Sequence, residues 1–471
     1  MKKFDINSDQ KMDADLRQVI PKNIALEYKI VPHFLEERSL VLYGENENEE
    51  TKRYLTVFLG KEISFVLIDK DRLEVALSKY YGSAKDQSEN FSHKIDKNNF
   101  LEQLIIEAKD LAASDIHVEK FETRARVRFR VNGHLVERYN LNLDSYPELV
   151  NKVKISANLD IAEKRLPQDG RINFKKGEVD VDLRVSVLPT LYGEKVVLRI
   201  LEKNSSAIHI SDLGMSAEEV EIFRSIISKP NGLVLISGPT GSGKTTTLYA
   251  TLKELNKEDV NIVTIEDPVE YTLLGINQVQ LNEKIGLGFP QALRTFLRQD
   301  PDIVMVGEIR DVETAQMATR AALTGHLVFS TVHTNSALGI FNRLVEMGIS
   351  EYLLSDTLNA GIAQRLLRTL CEKCKVKVNN PTYPPQLVGS ELTHVYEPKG
   401  CVACLGTGYS SRKAIYEIIP NTPDLMNSYR DPKFDLNLYL NKFGLDTLQG
   451  NAIKLLNEGK TSLEEVLPLL L

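Results

Sequence analysis

The sequence predicts a multidomain α/β protein whose largest domain is built around a phosphate-binding loop. Three observations carry that prediction. From about Ile208 onward, short β-rich apolar runs alternate with helical segments, the pattern of a parallel sheet with crossover helices. One of those runs leads directly into a glycine-rich loop, Gly238-Pro239-Thr240-Gly241-Ser242-Gly243-Lys244-Thr245. The chain is also long: 471 residues, at about 150 per domain, leave room for separate modules ahead of that sheet.

Taken in order, residues 1–81 join an apolar-periodic stretch (Ile20 to Leu42) to a strand-like run (Tyr54 to Ile68) across an acidic loop, and read as a small α+β module. Residues 82–99 turn to Ser, Asn, Lys and Asp and read as a linker. Residues 100–206 read as a second α+β domain. Its helix begins at Phe100. Ala125, Val127, Phe129 and Val131 then alternate with Arg124, Arg126, Arg128 and Arg130, so a strand there has one apolar face and one arginine face. Asn132-Gly133 supplies a hairpin turn, and Val179 to Val187 and Val196 to Leu201 supply further strands. Residues 207–370 hold the phosphate-loop domain, with strands expected at Leu233–Ser237, Ile262–Ile265, Ile303–Val306 and Leu327–Thr331. Residues 371–404 hold a four-cysteine element, and residues 405–471 read as mainly helical.

Composition removes several classes of function. Hydrophobic residues make up 42% of the chain, which excludes wholesale disorder, and no apolar run approaches the roughly 20 residues that span a bilayer. The first residues lack the apolar centre of a signal peptide, so the expected address is the cytoplasm. Fifty-eight basic against 65 acidic residues give a net charge of −7, without the basic excess that binding along DNA favours. The arginine face is the one feature that suits a polyanion; its alternative is a solvated sheet face neutralised by carboxylates of other elements.

The loop Gly238 to Thr245 fits G-x-x-x-x-G-K-[ST] at every fixed position, between a strand and a helix-capable segment. Backbone N–H groups and a helix N-terminus can therefore converge on phosphate. Lys244 is expected on the β and γ phosphates of ATP and Thr245 on Mg²⁺, with Thr246 beside it. Hydrolysis also needs acids at the ends of neighbouring strands. Glu308 follows Ile303–Val306 where a Walker B acid belongs, although Gly307 replaces the usual aspartate. Glu266-Asp267-Pro268-Val269-Glu270 follows Ile262–Ile265, so Glu266 and Glu270 are the second pair of candidates; loop carboxylates in water are the alternative. His326 and His333 flank the strand Leu327–Thr331 and are either γ-phosphate sensors or structural histidines. Cys371-x-x-Cys374 and Cys401-x-x-Cys404 have the spacing of a closed tetrahedral Zn²⁺ site, with unpaired thiols as the alternative.

In combination the motifs resemble the secretion ATPases of bacterial type II secretion and type IV pilus systems, the GspE/PulE type. The resemblance runs from about residue 100 to 471, and more loosely over the N-terminal module, and rests on ordered blocks: Ala112-Ala113-Ser114-Asp115-Ile116-His117, Arg165-Leu166-Pro167-Gln168-Asp169-Gly170-Arg171, Leu183-Arg184-Val185-Ser186, Gly193 to Arg199, the phosphate loop, an Asp box (Val263 to Tyr271), Walker B (Asp300 to Arg310) and a His box (Gly325 to His333). It implies a RecA-like ATPase domain preceded by a PAS-like domain that closes over ATP, in a homo-hexameric ring. By the same resemblance Glu270 positions the attacking water, Glu308 is the Walker B glutamate, and Arg184 and Arg199 reach the nucleotide. The four cysteines match the family's zinc element. Hydrolysis there displaces an inner-membrane platform protein that feeds pseudopilin or pilin subunits into a fibre, with the cytoplasmic part of a linker protein as a docking partner. The leading expectation is type II secretion, with type IV pilus assembly as the alternative. Retraction motors usually lack the zinc element, so Cys371 to Cys404 argue for assembly. A nucleic-acid motor and a P-loop kinase are the competing classes; the acidic total speaks against the first and the lack of an arginine-rich lid against the second.

Overall fold

The computed structural model describes residues 2–6, 12, 16, 19–20, 22–36, 39–47, 49–81, 99–202, 209–378, 395–429, 431 and 433–470. The expected linker lies outside the described residues except for Asn99. The first module is a four-stranded sheet, β1 (Lys2–Lys3), β2 (Ile30–Leu35), β3 (Ser39–Gly44) and β4 (Glu62–Leu67), in that order. The run Tyr54 to Ile68, expected as one strand, divides. Its first part belongs to the helix Glu49–Leu59, Gly60 breaks that helix at φ 63°, and the strand starts at Glu62. The helix is the crossover that lets β3 and β4 pair in parallel. Leu16, Ile20, Leu40, Leu42 and Leu55 form the core between the helices and the sheet.

The second module is a six-stranded antiparallel sheet of β5 (Ala113–Lys120), β6 (Ala125–Val131), β7 (His134–Leu141), β8 (Gln168–Lys176), β9 (Val179–Thr190) and β10 (Gly193–Glu202), in the order β7-β6-β5-β10-β9-β8. Asn132 (φ 48°) and Gly133 (φ 85°) make the hairpin turn expected of them. The alternation in β6 does what period two requires. Ala125, Val127 and Phe129 are fully buried beneath the helices Phe100–Asp110 and Tyr146–Ser156, and truncating a ring such as Phe129 would cost roughly 3–5 kcal/mol. The arginines lie on the other face, where Arg126 Nε and Arg128 Nη2 reach Glu119 of β5 at 2.9 and 2.8 Å, and Lys195 of β10 reaches the same carboxylate at 3.2 Å. Of the two expectations for this face, charge neutralisation within the sheet is the one realised. Register also aligns a row across it: Arg130 faces Asp115, which faces Arg199, then Arg184, then Arg171.

The third module is a seven-stranded sheet. It contains β11 (Gly232–Ser237), β12 (Ile262–Glu266), β13 (Asn277–Gln280), β14 (Ile303–Val306), β15 (Leu327–Val332) and β16 (Leu358–Leu370). The chain then makes a two-stranded ribbon, β17 (Lys375–Lys377) with β18 (Tyr396–Pro398), before β19 (Tyr409–Pro420) returns to the large sheet. The order is β13-β12-β14-β15-β11-β16-β19. Every residue of β11, β14 and β15 is buried, as expected where helices cover both faces of a parallel sheet. The region 405–471, expected as helical, therefore opens with a strand, and one continuous core runs from Ile210 to Val466.

By contacts the chain forms two units: Met1–Glu202 with Leu370–Val376 and Glu397–Ser411, and Lys203–Thr369 with Lys377–Tyr396 and Arg412–Leu471. The cysteine-bearing segments thus cluster with the first unit. Tyr409 stacks on His134 at 5.7 Å between ring centroids, and Asn132 Nδ2 donates to Ser410 O at 3.0 Å. Among the described residues no helix is long and apolar enough to cross a membrane.

Candidate active site

The phosphate loop leaves the carboxyl end of β11, the edge at which parallel α/β sheets bind ligands. Its glycines answer to space as well as to conformation. A Cβ on Gly238 would stand 2.5 Å from Gln364 O, so no side chain fits there, and Gly243 holds φ 89°, a conformation that favours glycine. Gly243 caps the helix Lys244–Leu255 without any side-chain acceptor, which leaves the first-turn N–H groups free to point at an anion. Lys244 lies across the loop, its Nζ donating to Gly238 O at 2.7 Å and Pro239 O at 3.1 Å. Burial lowers its affinity for a proton, Glu308 pulls the other way, and Arg365 lowers it further. Thr245 is exposed at the mouth of the loop and Thr246 half-buried behind it.

Glu308 lies two residues past the carboxyl end of β14. The turn that carries it is pinned on both sides: Gly307 N donates to Ile265 O, Ile309 N to Thr331 O and Thr331 Oγ1 to Gly307 O, all at 2.8 Å. Its carboxylate pairs with Arg310 at 2.5 Å and with His333 Nε2 at 3.3 Å. His333 is thereby brought to the phosphate edge. His326 is not. It precedes β15, which runs parallel to β11, so it lies at the opposite end of the strand, about 20 Å away at strand rise. There its Nδ1 meets Ala321 O at 3.0 Å and Thr324 Oγ1 at 3.2 Å, a structural contact, and the expectation of a catalytic His326 is corrected on that ground.

Glu266 is corrected as well. Its side chain is buried, with one oxygen accepting from Tyr249 and the other from Thr264 Oγ1 at 2.6 Å and Gln278 Nε2 at 3.1 Å, so the carboxylate is consumed inside the domain rather than presented to a metal. The Tyr249 hydroxyl also accepts from Glu270 N at 3.3 Å. Tyr249 therefore ties the phosphate-loop helix to the segment carrying Glu270, a half-buried residue four positions past the end of β12. Burial, then the neighbouring Glu266, pushes the Tyr249 phenol far up, which keeps it a neutral donor. Tyr249, Gln278 and Arg365 escape sequence reasoning because no spacing rule marks them.

Arg199 and Arg184 lie side by side on β10 and β9, and Arg199 is 62% exposed with its Nε 3.0 Å from Asp115. The four cysteine sulfurs all lie within 4.8 Å of one another, with Cys371–Cys401, Cys374–Cys404 and Cys401–Cys404 separations of 3.9, 3.8 and 3.7 Å. Metal–sulfur bonds of about 2.3 Å in a tetrahedron require sulfurs about 3.8 Å apart, so the four fit a zinc-sized ion. Cys401 N and Gly408 N each donate to Cys404 Sγ at 3.1 Å, the outer contacts that a thiolate ligand needs. Burial and the neighbouring sulfurs push the Cys374 thiol up strongly, the strain that a bound cation would relieve.

Against known proteins, the family described as Type II/IV secretion system protein matches residues 58–468. The type IV pilus assembly ATPase PilB of Myxococcus xanthus (strain DK1622) is 38% identical over 502 aligned residues, covering 99% of this chain and 87% of its own. The type II secretion system protein E of Aeromonas hydrophila is 45% identical, covering 77% of this chain and 74% of its own. A crystal structure of the pilus retraction motor PilT with bound ADP superposes with a TM-score of 0.52 at 27% identity, covering 78% of this chain and 96% of its own.

Proposed function

This chain belongs to the type II/IV secretion system protein family and is an ATP-hydrolysing secretion ATPase, and from that premise we propose that it drives type II secretion as a hexameric cytoplasmic motor assembling a pseudopilus. The observation that carries the enzymatic part is the uncapped helix N-terminus at Gly243, with Lys244 and the Glu308–His333–Arg310 cluster at the same sheet edge. Lys244 and the loop amides bind the phosphates, Thr245 orients Mg²⁺, Glu308 places charge beside the γ phosphate and Glu270 orients the attacking water. Arg184 and Arg199, from the PAS-like domain that residues 100–206 supply, add guanidinium charge in the transition state. The four cysteines hold a structural Zn²⁺. Its partners are an inner-membrane platform protein and the cytoplasmic part of a linker protein, which give it a peripheral place at that membrane.

Two sets of variants test this. Lys244→Ala should lose nucleotide affinity, whereas Glu308→Gln should bind ATP and hydrolyse it at least about a hundredfold more slowly, since electrostatic placement supplies much of the acceleration. A Glu308→Gln protein that turns over at the parent rate would end the Walker B assignment. Arg184→Ala and Arg199→Ala should bind ATP within about tenfold of the parent yet turn over far more slowly in intact hexamers; full activity would remove them from the mechanism.

Type IV pilus assembly is the second reading. What favours it is that the match to the pilus assembly ATPase covers 99% of this chain and the match to the type II protein 77%. A membrane pull-down with the full chain, identifying whether a type II or a pilus platform protein is retained, separates the two.

A further inference from the structure

A second cation stands at the phosphate loop, on a strand that carries no motif. β16 runs parallel to β11 with Ala363 opposite Ser237, so Gln364 and Arg365 come level with the start of the loop. Gln364 Oε1 accepts from Thr247 Oγ1 at 2.9 Å, and a Cβ on Gly238 would stand 3.3 Å from Arg365 Nη1. The guanidinium is held by two carbonyls, with Nη1 donating to Gln364 O at 3.0 Å and Nη2 to Asn335 O at 2.6 Å. Asn335 lies two residues past His333, so the same guanidinium braces the loop that brings His333 to Glu308. Among the described residues no carboxylate comes within ion-pair distance of it, and three of its five N–H donors are uncommitted.

Burial lowers the hold of Arg365 on its proton, and the charge of Glu417 acts the other way. Glu417 is 4% exposed and already engaged: Oε1 accepts from Ala337 N at 2.8 Å and Oε2 from Leu448 N at 3.2 Å, at the starts of the helices Leu338–Glu346 and Leu448–Asn457. Two half-buried cations, Lys244 and Arg365, thus share one edge with no carboxylate bonded to the second. A polyphosphate satisfies that arrangement, and a planar guanidinium with free donors is the group best shaped to bind one.

We propose that Arg365 is a second phosphate-binding cation of the ATP site, acting within the same subunit beside Lys244. The inference rests on the reading of the loop as an ATP site. It carries a signed consequence: removing the charge of Arg365 weakens ATP binding, and a lysine in its place, charged but without the planar fork, recovers part of it.

The test is titration of the full chain with a fluorescent ATP analogue, together with the shift in melting temperature that ATP produces, for the parent, Arg365→Gln and Arg365→Lys. Arg365→Gln should weaken binding about tenfold or more and shrink the ATP-induced shift, and Arg365→Lys should recover part of both. A merely structural Arg365 would lower the melting temperature without altering the ATP-induced shift, and that result overturns the proposal. So does an ATP affinity in Arg365→Lys equal to the parent's, which remains decisive if Arg365→Gln fails to fold. A parent chain that binds no nucleotide would overturn the ATP reading itself, whereas equal binding by the parent and Arg365→Gln overturns only the inference.

Discussion

Replacing Tyr249 by phenylalanine deletes one oxygen and leaves the rest of the core in place, including the edge-to-face contact with Tyr271 at 4.6 Å. That oxygen donates to the buried Glu266 and accepts from Glu270 N and Gln278 Nε2, at 3.3 and 3.4 Å. Gln278 Nε2 keeps Glu266 Oε1 at 3.1 Å and Tyr271 O at 3.2 Å, so its loss is small. The large term is the bond to the carboxylate, for which about 2 kcal/mol is the expected size. At about 2–4 °C per kcal/mol for a domain of this length, the melting temperature of the ATPase unit should fall by about 4–8 °C. Scanning calorimetry of the full chain measures it, with the relevant transition identified as the one that added ATP raises. Turnover should fall by more than ATP affinity does, by roughly tenfold, because the Glu270 N–H is tethered to the phosphate-loop helix through that oxygen. A transition that moves by less than about 2 °C, with turnover unchanged, would refute the reasoning and reduce the Tyr249–Glu266 pair to filler.

Glu119 is held at about 2 because, although burial alone would raise it, hydrogen bonds from Arg128, Arg126 and Lys195 favour its charged form. An unfolded carboxyl titrates near 4.5, so this stabilisation, about 3 kcal/mol, is fully present above that pH and is lost as the pH falls toward 2. Urea unfolding of the parent and Glu119→Gln should therefore differ by that amount at pH 7 and converge in acid; equal stabilities at pH 7 would contradict it. Cys401→Ser should lower bound zinc from one per chain and destabilise the cysteine element while leaving ATP affinity within about threefold. Metal analysis finding no zinc in the parent, with all four thiols freely reactive, would reject the assignment.

The parts of the site that sequence reveals are those fixed by local geometry. A loop that must approach phosphate without side chains, or two cysteines that must reach one ion, leaves its requirement in the spacing of neighbours. Contacts set by register leave no such mark. The arginines of β6 look like a polyanion surface until β5 places Glu119 between Arg126 and Arg128. Glu266 looks like a metal acid until Tyr249, 17 positions earlier, donates to it. Strand direction could have separated the two histidines without coordinates: in a parallel sheet whose strands enter their loops at the phosphate edge, a residue before β15 is at the wrong end and one after it at the right end. Arg365 and Glu417 had no signal, since each is an ordinary polar residue within a strand and gains meaning only from the strand beside it.

The helix Leu338–Glu346 begins at Ala337, which has no side chain able to cap it, and the acceptor for its first amide is Glu417, 80 residues further along the chain. During synthesis at about 5–20 residues per second, roughly 4–16 s separate the emergence of the one from the other. Within that interval β16, 13 residues long and mostly buried in the finished domain, emerges with no β19 to pair with and presents an open edge next to the nucleotide loop. A nascent ATPase domain of this kind is therefore most exposed to wrong pairing just when its motifs are complete. Chains that terminate between Cys404 and Pro420 should accumulate as aggregates rather than as inactive monomers.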